Sequence, residues 1–290
     1  MGTEQRNLQL SQATDTEFRD WVAGLIAGLI AAGITQTSDT GQIDTGTVAK
    51  PASTNVQQGY AVFRFNDTEH ATNPIFFRIG FGSGSATTTP AMWITFGTGS
   101  DGAGNITGIW RPELQRNSSV STSQQMCLTS YDSTTGIVWA NWASSGSQGL
   151  MFIIARTCDL TTETPDGQGV IYNWTSSTID LEYAPWATMT VANHYPAGQP
   201  GGYGNSITDE NGVPVVFKYL GWGIVSADPA LWTIPGILIG DAYQFAYGAV
   251  VSATPGPTAH TYRAMTDLNR VQGSWSQAGI AQERPLMIWE

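Results

Sequence analysis

Every position from Trp21 to Ile34 is apolar or glycine. Just ahead of that run, Thr14 and Glu17 have the spacing of a capping box, in which each side chain satisfies the other's free backbone N–H. Phe18, Val22, Leu25, Leu29 and Ala32 follow at alternating steps of four and three, and Trp21, Ile26 and Ile30 widen the stripe. The pattern predicts a helix from Thr14 to Gly33, with Gly33 at the C′ position. A helix apolar on nearly all sides needs partners on several sides. It can find them in the core of its own chain, in a second copy, or in another protein, and Gly24 with Gly28 lets backbones approach closely. The expectation taken forward is an assembly helix, with Phe18, Trp21, Val22, Leu25, Ile26, Leu29 and Ile30 as its oligomerisation surface. On that reading, removing residues 1–34 leaves a soluble body that no longer assembles.

From Thr35 to Gln58 the chain is rich in Thr, Ser, Gly and Gln without a hydrophobic period, which reads as a linker or extended arm. From Tyr60 onward, short alternating or β-branched and aromatic runs recur. They begin with Tyr60–Phe65, Ile75–Phe81, Ala91–Phe96, Ile106–Trp110, Met126–Tyr131 and Ile137–Trp142. Leu150–Arg156, Val170–Trp174, Ala187–Ala192, Val213–Tyr219, Tyr243–Val251 and Leu286–Trp289 continue the series. Turn signals such as Asn66-Asp67, Asp101-Gly102, Asp166-Gly167 and Asn211-Gly212 separate them. No amphipathic stretch of helical length intervenes, and no fixed-period repeat is present, which disfavours βαβ units, propellers and solenoids. The predicted architecture is all-β: an N-terminal helix (1–34), an arm (35–58), and an antiparallel β-sandwich-like body (59–290). The first thirteen residues are polar and are expected to stay loose or extend along a neighbour.

Charge narrows the partners. Only 12% of residues are charged and the formal net charge is -11, against about a quarter charged in typical domains. Lysine occurs only at Lys50 and Lys218, so no basic stripe exists to neutralise phosphates, and nucleic acid is discounted. The apolar run is shorter than the roughly 20 residues of a membrane span. Asp15, Glu17 and Asp20 precede it, the wrong sign for a signal peptide, so synthesis in the cytoplasm is expected. In that compartment the Asn-x-Ser/Thr sequons at Asn66, Asn105, Asn117 and Asn173 carry no meaning, and Cys127 and Cys158 read as buried free thiols.

Candidate chemistry is sparse. His70, His194 and His260 lack a second ligand at metal-binding spacing. Asp101-Gly102-Ala103-Gly104-Asn105 and Asp166-Gly167-Gln168-Gly169 have oxygen donors on flexible backbone, yet Asp-Gly is foremost a turn signal. Gly82-Ser83-Gly84-Ser85 lies in a loop of small residues and not at a nucleophile elbow. Asp180 and Glu182 sit two residues apart on a strand, about 7 Å between Cα atoms, which suits either a carboxylate pair for glycan hydrolysis or a solvated face. Neither metal nor cofactor is expected, nor catalysis. Aromatics cluster at Tyr183-Ala184-Pro185-Trp186 and from His194 to Tyr203. Tyr183, Trp186, Tyr195 and Tyr203 are therefore candidate contacts, for a host-surface glycan or for a protein interface.

One region carries a resemblance. It includes Phe63-Arg64-Phe65-Asn66-Asp67, Ala71-Thr72-Asn73-Pro74-Ile75-Phe76-Phe77 and Gly80-Phe81-Gly82-Ser83-Gly84-Ser85. It continues through Ala86-Thr87-Thr88-Thr89-Pro90 and Trp93-Ile94-Thr95-Phe96-Gly97-Thr98-Gly99 to Gly108. Physically the segment reads as three strands burying Phe63, Phe76, Trp93 and Phe96, joined by glycine-rich loops. Residues 60–109, about a sixth of the chain, resemble a segment of virion structural proteins of tailed bacteriophages. The resemblance implies a tail, baseplate, collar or fibre component, located in the virion and contacting other virion proteins, and brings no catalytic residues. Fibre analogy favours a homotrimer, and the helix is too short to hold one by itself. The alternative expectation is a carbohydrate-binding tail module.

Overall fold

The computed structural model describes residues 11–109 and, outside that range, the strands named below. The chain begins with strand β1 (Gly2–Gln9) and helix α1 (Asp15–Ala31). The short β2 (Thr35–Gln36), β3 (Val56–Arg64), β4 (Phe76–Ser83), β5 (Pro90–Gly97), β6 (Gly99–Ser100), β7 (Ile106–Thr107) and β8 (Arg111–Asn117) follow. Then come β9 (Ser123–Ser130), β10 (Val138–Ala143), β11 (Met151–Asp159), β12 (Pro165–Trp174) and β13 (Ile179–Tyr183). The last are β14 (Phe217–Gly223), β15 (Leu231–Gly240), β16 (Val250–Ala253), β17 (His260–Ala264) and β18 (Leu286–Trp289). The described residues thus form a β-rich fold of antiparallel sheets with one N-terminal helix. A five-stranded sheet runs β2-β3-β4-β5-β8, and an eleven-stranded sheet has β1 and β16 at the ends of its longest path. The run predicted at Ala187–Ala192 lies outside the described residues.

Helix α1 ends as its sequence demands. Thr14 Oγ1 accepts from the Glu17 N–H and a Glu17 carboxylate oxygen accepts from the Thr14 N–H, a complete capping box. At the other end Gly33 adopts φ 103°, its N–H reaches the Ile30 carbonyl, and the Ile34 N–H reaches that of Leu29. This is a Schellman closure, and it brings Ile34 into the core beside Leu29.

The helix lies on one face of the five-stranded sheet. Strand register aligns Phe63 with Phe77 and Phe96, Ala61 with Ile79 and Ile94, and Phe81 with Met92. Those side chains share a single core with Phe18, Trp21, Val22, Leu25, Ile26 and Leu29. Trp21 meets Phe81 edge-on at 5.6 Å between ring centroids, and Phe63 stacks on Phe77 at 5.3 Å.

This packing places the residues expected as an oligomerisation surface. Of its seven proposed contact residues, Phe18, Trp21, Val22, Leu25, Ile26 and Leu29 are buried inside the chain's own core, and only Ile30, 48% exposed, faces outward. A side chain with no exposed area has nothing left to bury against a partner. Removing residues 1–34 would uncover the aromatic face of β3, β4 and β5.

The expected arm is also folded. Beyond β2, the Thr37 N–H donates to the Val62 carbonyl, the Ile43 N–H to the Tyr60 carbonyl, and the Val62 N–H to Gln42 Oε1. The helix holds the segment from its side: Arg19 donates to the Thr47 and Val48 carbonyls, and Asp15 accepts from the Lys50 N–H. Ile43 and Val48 pack onto the core. Helix, strap and sheet thus pack against one another.

One buried-aromatic assignment shifts: Phe77, not Phe76, enters the helix-side core and Phe76 is partly exposed, whereas Phe63, Phe96 and Trp93 are buried as expected, Trp93 on the opposite face.

Candidate functional site

The face of the sheet away from α1 carries the described residues with most polar and aromatic character. Period-two alternation sends Tyr60, Val62 and Arg64 of β3 to this side, with Phe76 and Arg78 of β4 and Trp93 and Thr95 of β5. The Arg78 guanidinium lies 4.4 Å from the centroid of the Tyr60 ring, and His70 tilts against Phe76 at 5.5 Å. Between Tyr60 and Trp93 in the register stands Gly80, where a Cβ would run into the Gln57 side chain. Gly82 is tighter, since a Cβ there would strike the Val56 carbonyl and the Trp93 ring.

Tyr60 carries this face to the loops. Its hydroxyl lies 2.8 Å from the Thr40 carbonyl and 3.2 Å from that of Ala103. Gly104, at φ 90°, passes so close to the Tyr60 ring that a side chain there would collide with it. Asp39, only 8% exposed, accepts from the Ser100 hydroxyl at 2.9 Å and the Gly104 N–H at 3.0 Å. Burial works to raise the Asp39 pKa, but hydrogen bonds from Thr37, Ser100 and Gly104 outweigh it and hold the carboxyl below its ordinary range.

The Asp101 loop, read from sequence as a turn or a cation loop, is a turn. Asp101 accepts from Asn105 Nδ2 at 2.7 Å and from the N–H groups of Ala103 and Asn105, contacts that lower its pKa. Its carboxylate oxygens are thereby committed to donors within the loop. Among the described residues no group of three or more His, Cys, Asp or Glu converges as a metal site would require.

Asp44 and Glu17 do similar work. Asp44 accepts from Gly46 and Thr47, and Glu17 from Ser11, Thr14 and Ala13, and both pKa values are lowered by those bonds. A general acid for glycan cleavage needs the opposite, a carboxyl that keeps its proton near neutrality. These four carboxylates fasten loops and the helix start.

The receptor candidates are only partly placed. Tyr183 ends β13, across from Val170 of β12, while Trp186, Tyr195 and Tyr203 lie outside the described residues. Asp180 and Glu182 stand on β13 opposite Asn173 and Ile171. Cys127 and Cys158 fall on β9 and β11, which β10 separates, and Cys158 is seven residues beyond Met151, the register partner of Cys127 through Asn141. At about 3.3 Å per residue that offset far exceeds disulfide reach. Asp39, Tyr60 and Arg78 were not singled out from sequence, although strand alternation does place Tyr60 and Arg78 on the face opposite the helix.

Among the described residues no helix is long and apolar enough to cross a membrane. No protein-family model, curated protein or solved structure matches this chain.

Proposed function

We propose that this protein is a non-enzymatic structural component of a tailed bacteriophage particle, in the tail, baseplate, collar or fibre. The observation that carries the reading is the resemblance of residues 60–109 to virion structural proteins. One physical feature supports it: among the described residues, the segment's side chains serve packing, and Glu17, Asp39, Asp44 and Asp101 serve as hydrogen-bond acceptors that fasten loops and the helix start. A sandwich-like arrangement of the body and a homotrimer belong to the same proposal, the trimer by fibre analogy. With α1 committed to the core, attachment to other virion proteins runs through sheet edges and loops.

The test is incorporation. A tagged full-length chain, supplied during infection of a host by the phage that encodes it, should co-purify with intact particles. Recovery only as free protein would count against the reading.

A carbohydrate-binding tail module is the second reading, favoured by the aromatic cluster at Tyr183, Trp186, Tyr195 and Tyr203. Selective binding to host-surface glycans, lost in Trp186→Ala with oligomeric state unchanged, would make it the better one.

A further inference from the structure

We infer that the strap of residues 37–43 is a built-in blocking strand, latched by the Gln42 side chain, that keeps the outer edge of β3 from pairing with a strand of a second copy. An open strand edge presents unpaired N–H and C=O groups and invites another chain. β2 shields only the end of this edge, at Phe63 and Arg64. Further along, the strap takes the groups that point outward. The Thr37 N–H donates to the Val62 carbonyl at 2.9 Å, and the Ile43 N–H to the Tyr60 carbonyl at 2.8 Å. Between those two contacts the main chain leaves the edge for the β6–β7 hairpin, where the Thr40 N–H donates to the Gly102 carbonyl at 2.9 Å. The Val62 N–H is left to a side chain, and Gln42 Oε1 accepts it at 2.8 Å.

A carboxamide serves here in only one orientation, and its surroundings set that orientation. Gln42 Nε2 donates to the Thr37 carbonyl at 2.7 Å and to the Asp39 carbonyl at 3.1 Å, while Oε1 also accepts from Gln36 Nε2 at 3.0 Å. With the Val62 bond, both donors and both acceptor positions of the amide are used, and turning it over would set N–H against N–H. The side chain thus supplies the peptide carbonyl that the strap does not bring to the edge. Past Tyr60 the edge is closed by other means: β3 is bulged between Gln57 and Gly59, and the Ile43 side chain lies where a Cβ on Gly59 would sit. Ser38, Thr40, Gly41 and Asp44 are exposed, so the outer side of the strap meets solvent.

This role does not depend on a place in a phage particle, and the purified full-length chain tests it. Gln42→Leu keeps the bulk of the side chain and removes the acceptor, so the N–H of the fully buried Val62 loses its partner. By sedimentation this variant should associate about tenfold more tightly than the parent, into assemblies larger than the parent's own. Val22→Ala hollows the helix-side core without removing a hydrogen bond of the strap, and it should keep the parent's association. In amide exchange the Val62 N–H should lose protection in dilute Gln42→Leu and regain it as the assembly forms. Gln36→Leu withdraws one donor from the Gln42 carboxamide and should shift association in the same direction by a smaller factor. A Gln42→Leu chain that stays at the parent's size, equal association of Gln42→Leu and Val22→Ala, or a Val62 amide still protected in the dilute variant would each overturn the inference. Where Gln42→Leu does not fold, a folded Gln36→Leu chain at the parent's size overturns it instead.

Discussion

Trp21 of α1 meets Phe81 of β4 edge-to-face, at 5.6 Å and 69°, and both rings are fully buried. This contact joins the most apolar stretch of the sequence to the sheet of β3, β4 and β5. Trp21→Ala should therefore unfold the helix-and-sheet unit, costing about 3–5 kcal/mol in chemical denaturation. Were α1 an outward assembly element, the same substitution would change association and leave stability nearly untouched.

Deleting residues 1–34 should yield aggregated protein. The truncation strips the helix from Phe63, Phe77, Phe81 and Phe96, leaving a contiguous aromatic face without cover. Solubility on expression, with dye binding as a probe of exposed apolar surface, checks this. A soluble, folded truncation would show that the sheet does not need its helix.

Acid should loosen the β6–β7 hairpin through Asp39. Its folded pKa is held below the unfolded value, so its stabilisation is fully present above the ordinary carboxylate range and is lost as pH falls through the lowered folded value. Asp39→Asn should bring that loss to neutral pH, about 1–2 kcal/mol, because a neutral amide forfeits the charge that strengthens the bonds from Ser100 and Gly104. Protection of the Gly104 amide, taken relative to the unstructured exchange rate at each pH, reports it, and protection that is the same in the two proteins at every pH would contradict the assignment.

Gly82→Ala should be more disruptive than its single methyl implies. The added carbon meets the Val56 carbonyl and the Trp93 ring, and the former is backbone in a paired strand. A loss of about 1–3 kcal/mol is expected by overpacking. Gly102→Ala probes a different cost, since no atom lies within 4 Å of the added carbon and only its φ of 78° penalises the change. Thermal unfolding of the two variants separates collision from backbone strain.

Much of the N-terminal unit was legible because its signals are local. Thr14, Glu17 and Gly33 mark α1 at both ends, and alternation marks β3, β4 and β5. What could not be read is where the helix finds shelter, since apolar periodicity says that a face is buried but not against what. Phe76 and Phe77 illustrate a second limit: with Ile75 they form a continuous apolar run, so either phase of the strand satisfies the pattern, and the register with Phe63 decides. β1 and β8 escaped notice for a third reason. Gly2–Gln9 and Arg111–Asn117 are polar edge strands held in the ladder by backbone hydrogen bonds, which leave no hydrophobic trace. The aromatic candidates at Trp186, Tyr195 and Tyr203 fall outside the described residues, and their role rests on sequence.

The central proposal, a building block of a virus particle, is tested most directly by quantitative mass spectrometry of density-purified virions from a phage whose genome carries this sequence. Peptides of this protein should be present in fixed proportion to the other structural proteins across independent preparations. Their absence from the virions, with the protein abundant in the infected-cell lysate, would contradict the account.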